Sequence, residues 1–191
     1  MLLHNEAASR LAAAQACASM KARRNILLAM LFGASTLAFS WCAHPAPWLL
    51  WNASASVPIG LYEVHPVGPL RVGQLLIVSP PAPLARFLAA RRYLPMGLPL
   101  IKHIAALPGQ TVCRRGRVIT VDGTVDAKAL DHDTRGRPLP VWQGCQKIAP
   151  HEIFLLNIGV PDSLDSRYFG PLPDATIIGR ATPLWLPRRS Q

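Results

Sequence analysis

The sequence predicts a mainly β protein in which an N-terminal transmembrane helix precedes an antiparallel β domain with a small inserted loop region. Three observations carry that prediction. An uncharged, proline-free run, ILLAMLFGASTLAFSWCA, covers Ile26 to Ala43 directly after Lys21, Arg23 and Arg24. All 19 prolines in the 191 residues follow residue 44, so the chain consists of two unlike pieces. Beyond that point, short β-prone runs are broken by Pro and Gly, with no βαβ alternation and no internal repeat. The length suffices for one domain with a real core plus an extra segment. Hydrophobic residues make up 50% of the chain and charged ones only 16%, which excludes intrinsic disorder and disfavours a fully soluble protein.

Residues 1–24 form an expected cytoplasmic segment, with Arg10, Lys21, Arg23 and Arg24 set against Glu6 alone. Residues 25–43 are the expected anchor, near the short end of the ~17–25 residues that cross a bilayer. Trp41, Trp48 and Trp51 cluster where the far headgroup region would lie. Basic residues ahead of the span put the N-terminus inside and residues 44–191 outside. That is a single-pass arrangement in the cytoplasmic (inner) membrane, with a periplasmic β-rich domain touching membrane lipids. A cleaved signal peptide fits less well, because the basic residues come late and His44–Pro45–Ala46–Pro47 is a poor cleavage site. A buried core helix would show a polar face, which this run lacks.

Residues 44–58, rich in Pro and Ser, read as an extended lead away from the membrane. Strands are then expected in GLYEV, QLLIVS, LIKHIAA, RVITVDG, EIFLLN and TIIGRA, with one helix from about Leu84 to Arg92. A polar, turn-rich insert is expected over about 122–146. Within it, Asp131–His132–Asp133 suggests a metal site, but a solvated loop is the stronger reading, and no cofactor or metal is expected. Cys113 and Cys145 fall in the exported part, where an oxidising compartment permits a disulfide across the insert. The formal net charge of +10 is scattered in small groups such as Arg91–Arg92 and Arg114–Arg115–Arg117. Neither a basic stripe with interleaved aromatics nor a recognition helix is present, so nucleic acid is not an expected partner. A solvated basic face near anionic headgroups is expected instead.

Three stretches carry potential chemistry. In Asn52–Ala–Ser54–Ala–Ser56–Val–Pro58–Ile–Gly60, two serines precede a rigid turn that can hold a hydroxyl toward a cleft; alone, the segment reads better as a plain serine-rich linker. In Pro99–Leu–Ile–Lys102–His103–Ile–Ala–Ala–Leu–Pro108–Gly109, the strand period of two puts Lys102 on one face with Leu100 and Ile104, and His103 on the other. An ammonium among apolar side chains is desolvated, which lowers its pKa toward the range of a general base. A lysine snorkelling to water at a strand edge is the alternative. In Ser163–Leu–Asp165–Ser166–Arg167–Tyr168–Phe169–Gly170–Pro171, Asp165 and Arg167 could be no more than a surface ion pair in a turn.

Taken together and in this order after an anchor, SASVPIGLY, PLIKHIAALPG and SLDSRYFGP resemble the signal peptidase I family, in particular its branch tied to conjugative transfer, the TraF-type peptidases. The resemblance covers about residues 52–185 and the anchor. It implies a β fold of the signal peptidase type beside the membrane and a serine–lysine dyad. Ser56, followed by x-Pro-x-Gly as in the transfer branch, matches the nucleophile, and Lys102 the general base. Ser54 matches a serine that helps the nucleophile's N–H hold the oxyanion. Ser163 matches a serine that orients the lysine, and Asp165 and Arg167 a bracing pair. His103 stands where the family pattern has arginine, and Leu156–Asn157–Ile158–Gly159 stands where housekeeping members have Gly-Asp-Asn. The first departure leaves the dyad intact, because that strand position points away, and the second, which runs on through Val160–Pro161–Asp162, points to a specialised peptidase.

The implied partner is a precursor with a leader peptide, a pilin subunit in the transfer branch, with conjugation-apparatus components as further candidates. The product would be hydrolysed or cyclised. Two other readings compete: a Ser56–His103–Asp165 triad, and a non-catalytic membrane-tethered scaffold of an envelope secretion or pilus complex. The triad fails if Lys102 and His103 share a strand, since only one can face the serine. Ser56 lies only five positions after Trp51, at most ~17 Å when extended, so the hydroxyl is expected close to the bilayer.

Overall fold

A computed structural model describes residues 21, 23–40 and 47–187, and the chain divides into two units, Met1–Ala46 and Pro47–Gln191. In the first unit, residues 23–40 form helix α1, whose apolar side chains, Leu31, Phe32 and Phe39 among them, are exposed. Among the described residues, no helix is long and apolar enough to cross a membrane. Residues 1–20 of the expected cytoplasmic segment and 41–43 of the expected span lie outside the described residues.

The second unit is built on a seven-stranded antiparallel sheet in the order β1-β2-β11-β3-β4-β9-β10. Its strands are β1 (Leu49–Asn52), β2 (Gly60–His65), β3 (Leu75–Val78), β4 (Leu100–Ala106), β9 (Glu152–Leu156), β10 (Leu172–Pro173) and β11 (Ile177–Trp185). A second sheet has the order β7-β6-β5-β8, from β5 (Thr111–Arg115), β6 (Val118–Val121), β7 (Thr124–Lys128) and β8 (Gly144–Lys147). Helix α2 (Ala82–Ala90) and the single turn α3 (Ser166–Phe169) complete the unit. The mainly β, antiparallel expectation therefore holds.

β4 explains why the core forms where it does. It pairs with β3 on one side and β9 on the other, and its neighbours cover both faces. Leu100 and Ile104 enter a core with Leu76, Val78, Leu155 and Leu88 of α2. Ile101, one residue out of phase, packs instead with Val57, Tyr62 and Ile77. A third cluster joins the two sheets through Val112, Ile119, Phe154 and Leu156. The side-chain period of two thus decides which core each β4 residue enters, and it places Lys102 on the Leu100/Ile104 face.

Every strand expected from the sequence is present, but five further segments are strands as well, the two-residue β10 among them. The 44–58 lead is not simply an extended tether, because β1 pairs with β2 in the register Leu49↔Glu63 to Asn52↔Gly60. LLWN has no alternation, so its tryptophan suggests a membrane belt rather than a strand. β5 carries Cys113 and two arginines, which hide its pairing with β6 and β8 from a reading of the pattern. The expected 122–146 insert is partly sheet: β7 pairs with β6, and β8 with β5. All four β8 residues are exposed, which leaves no hydrophobic pattern to read. Helix α2 begins two residues before its expected start, with Pro81 as its N-cap, and ends before Arg92, whose φ of 57° is left-handed.

Cys113 and Cys145 stand directly opposite each other across β5 and β8, with Cα atoms 4.0 Å apart, and form a disulfide enclosing a separation of 32 residues. On the chain-entropy account, a loop of that size contributes ~3–4 kcal/mol. β8 buries none of its side chains, so the bond and the ladder to β5 hold it in place. The expected solvated loop is borne out at Asp131, His132, Thr134, Arg135 and Gly136, which are exposed, and Asp133 is the exception. Its side chain is only 8% exposed, and it pairs with Arg137 at 2.6 Å. Among the described residues, no group of three or more His, Cys, Asp or Glu is arranged to hold a metal.

Candidate active site

The turn after β1 is organised by one buried amide. Asn52 Nδ2 donates to the carbonyls of Ser54 (2.8 Å), Val57 (3.1 Å) and Pro58 (3.1 Å). Its Oδ1 accepts from the Ser54 backbone N–H (3.1 Å) and the Ser54 hydroxyl (2.9 Å). Tyr62, itself buried, donates to the Pro58 carbonyl from below at 2.6 Å. The Ser54 and Ser56 hydroxyls lie 3.1 Å apart. A hydroxyl has one proton, and that of Ser54 goes to Asn52, so Ser56 is the donor between the two serines. The serine-rich segment is therefore a fixed turn, with Ser56 half-buried at the mouth of a cleft.

Lys102 rises from the floor of that cleft. It is 3% exposed, so it does not snorkel, and its Nζ donates to the Ser163 hydroxyl at 2.8 Å. Burial lowers its pKa to about 8, and the Arg167 charge acts in the same direction, while Asp165 and Asp162 oppose it. Ser54, Ser56, Lys102 and Ser163 line a single cavity of about 230 Å³, walled by Tyr93, Leu100 and Leu164. Among the described residues, Ser56 and Lys102 share no direct hydrogen bond. Catalytic contacts of this kind are often long before substrate enters, so the arrangement is compatible with proton transfer. A second cavity, about 310 Å³, lies on the β1 side of the serines against Leu50, Trp51, Leu98 and Ile101.

Behind the lysine, Asp165 and Arg167 are buried at 0% and 2% exposure, which rules out a surface ion pair. Asp165 caps α3 and takes Arg167 Nε on Oδ1 (2.7 Å) and Nη2 on Oδ2 (2.9 Å). Oδ2 also accepts the Asn157 N–H at 3.0 Å. The remaining Arg167 donors reach the carbonyls of Lys128, Pro161 and Asn157 at 3.1–3.2 Å. One guanidinium thus ties the end of β7, the 157–161 loop and α3 together, and that loop leads into Ser163. Such a network satisfies both buried charges.

The other residues singled out from the sequence fall outside the cleft. His103 lies on the opposite face of β4, with Nδ1 3.1 Å from Asn157 Oδ1, and lines a different cavity with Val72 and Ile158. With Asp165 fully engaged by Arg167 and Asn157, the triad reading has no geometry. The Cys113–Cys145 bond lies in the second sheet.

Sequence reasoning misses three contributors. Asn52 has a usable signal, an Asx residue two positions before a serine in a turn. Asn157, which the motifs mark only as a departure from the family pattern, donates to the Ile101 carbonyl at 3.3 Å and so joins β4 to the bracing loop. Arg114 does not belong to the expected solvated basic face: it is 1% exposed and donates to the Arg167 carbonyl at 2.6 Å. An arginine in an arginine-rich hairpin carries no sign of that.

The profile of the family described as signal peptidase, peptidase S26, matches residues 21–186. A conjugal transfer protein TraF of Agrobacterium fabrum is 36% identical over 144 residues, covering 70% of this chain and 80% of the relative. A probable conjugal transfer protein TraF of Sinorhizobium fredii is 39% identical over 140 residues, covering 68% and 73%. Among solved structures, a signal peptidase I from Enterococcus faecalis matches at 19% identity and a TM-score of 0.37, covering 61% of this chain and 99% of that one. With its profile match running from the start of α1 to the end of β11, the chain belongs to the signal peptidase family, peptidase S26.

Proposed function

We propose that this chain is a membrane-anchored serine endopeptidase that uses Ser56 and Lys102 as a catalytic dyad to remove the leader peptide from an exported precursor, a conjugative pilin subunit. The observation that carries the reading is a desolvated lysine with a pKa near 8, held to Ser163 and lining one cavity with Ser56. A lysine so tuned is neutral in about a tenth of molecules at about pH 7, roughly 300-fold more than an ordinary lysine, and can act as a base.

Neutral Lys102 takes the Ser56 proton as Oγ attacks the scissile carbonyl. It then delivers that proton to the departing amine as the C–N bond breaks, leaving an acyl-enzyme on Ser56. Water, deprotonated by the same lysine, releases the acid, which is the leader; a cyclic pilin would form instead at a second cut near the C-terminus of the leaderless chain, where that acyl-enzyme is attacked by the pilin's own N-terminal amine in place of water. The oxyanion is held by the Ser56 N–H and the Ser54 hydroxyl, which turns its proton from Asn52 toward the developing charge. Such a donor is worth ~10²–10³ in rate. Residues 25–43 serve as the anchor with the N-terminus inside, and residues 44–191 form the periplasmic peptidase domain. The relatives named for conjugal transfer support the choice of precursor.

The test co-expresses the full-length chain, or its Ser56→Ala variant, with a conjugative pilin precursor and reads the precursor's mass. A mature mass with wild type alone supports the reading, and a further loss of one water points to cyclisation. Equal processing by both proteins contradicts it.

A further inference from the structure

We infer that Tyr93 sets the size limit for the substrate side chain beside the scissile bond, and that the inserted loop holds Tyr93 in place through Asp133 and Arg137. This rests on the dyad reading above and assigns a specificity device to the same cleft.

Tyr93 belongs to neither the serine turn nor the lysine strand, yet it lines both cavities that flank Ser54 and Ser56. An extended substrate places alternate side chains on one face, two residues apart. Two such side chains would enter the two cavities, and Tyr93, together with Leu94 and Leu100, lines both. The chain reaches this position through a left-handed Arg92, after which the Tyr93 N–H closes the end of α2 on the Leu88 carbonyl at 2.9 Å. The ring leans on Phe87, with centroids 6.1 Å apart.

What fixes the ring comes from 40 residues away. The Tyr93 hydroxyl donates to Asp133 Oδ2. Arg137 Nε donates to the same oxygen at 2.7 Å, and its guanidinium lies 4.8 Å from the Tyr93 ring centroid. Asp133 Oδ1 accepts the backbone N–H groups of Arg135 (2.9 Å) and Arg137 (2.8 Å), so the carboxylate is oriented by its own loop. The two segments are also tied by backbone carbonyls: Arg137 donates to Arg91 O at 3.0 Å, and Arg91 to Pro138 O at 2.6 Å. Although the loop's other side chains between Asp131 and Pro138 are exposed, Asp133 and Arg137 turn inward to make these bonds. Their convergence on a side chain that walls the cleft assigns the pair to the pocket rather than to the surface.

The experiment compares two precursors with the full-length protein: a conjugative pilin precursor with alanine before the cut, and the same precursor with leucine there. Initial rates are read by intact mass. Wild type should process the alanine form at least ~100-fold faster, since each excess methylene in a closed pocket costs ~10-fold or more. Tyr93→Ala should cut that ratio at least tenfold by merging the cavities. Asp133→Ala should also cut it, by releasing the ring, while Asp133→Asn, which keeps an acceptor for Tyr93, should restore most of it. If Tyr93→Ala does not fold, Tyr93→Leu takes its place. A ratio within twofold of wild type in both the Tyr93 variant and Asp133→Ala overturns the inference, because a merely structural role slows both precursors alike. Absence of processing by wild type overturns the dyad reading, and this inference with it.

Discussion

Replacing Lys102 with methionine should make the protein more stable at neutral pH, although it removes a hydrogen bond. Burial moves the lysine from an ordinary 10.5 to about 8. At ~1.4 kcal/mol per unit, holding its ammonium inside the fold costs about 3 kcal/mol wherever both folded and unfolded forms are charged, that is, below pH 8. Methionine fills similar space without a charge but gives up the Nζ–Ser163 bond, worth about 1 kcal/mol. The net expectation at about pH 7 is a gain of about 2 kcal/mol. Between pH 8 and 10.5, the unfolded lysine keeps a proton that the folded one has lost, so wild-type stability rises with pH across that window. The advantage of Lys102→Met should therefore shrink through the window and reverse above it, where only the lost hydrogen bond of about 1 kcal/mol remains. Urea unfolding of the full-length proteins in detergent, followed by tryptophan fluorescence at about pH 7 and about pH 10, measures both quantities. A variant less stable than wild type at the lower pH, or a difference unmoved by pH, would refute the account of a desolvated lysine.

The same titration predicts a precursor-processing rate that rises with pH and levels off above about 8, because only neutral Lys102 accepts the serine proton; a rate profile flat from about pH 6 to 9 would count against it. Asn52→Ala should lower kcat more than it raises KM, since the amide holds the turn that presents Ser56 rather than a substrate pocket; steady-state kinetics on the precursor separates the two. Arg167→Met should cost ~3–5 kcal/mol by leaving Asp165 charged and buried alone, and the loss should appear as a lowered urea midpoint.

The strands that position the site are legible because burial leaves a pattern. GLYEV, QLLIVS, LIKHIAA and EIFLLN carry the core, and their periodicity alone places Lys102 and His103 on opposite faces. β7 and β8 are not legible, because exposed strands held by their partners and a disulfide need no apolar alternation. β1 misleads for the opposite reason, since its exposed Trp51 resembles an interfacial residue more than a strand residue. At the site, the serines, the lysine and the Asp165–Arg167 pair can be named from motif order. The supports cannot, because Asn157, Arg114 and Tyr93 act through contacts with residues 8 to 56 positions away, and those exist only once the chain has folded.

The central claim is that Lys102 is the base for Ser56, and Lys102→Ala tests it most directly. The full-length variant would be expressed with a conjugative pilin precursor, its fold checked by the Cys113–Cys145 bond and a thermal melt, and the precursor's mass read. The account predicts a folded, oxidised protein that leaves the precursor uncleaved. A folded Lys102→Ala variant that processes the precursor at the wild-type rate would contradict it.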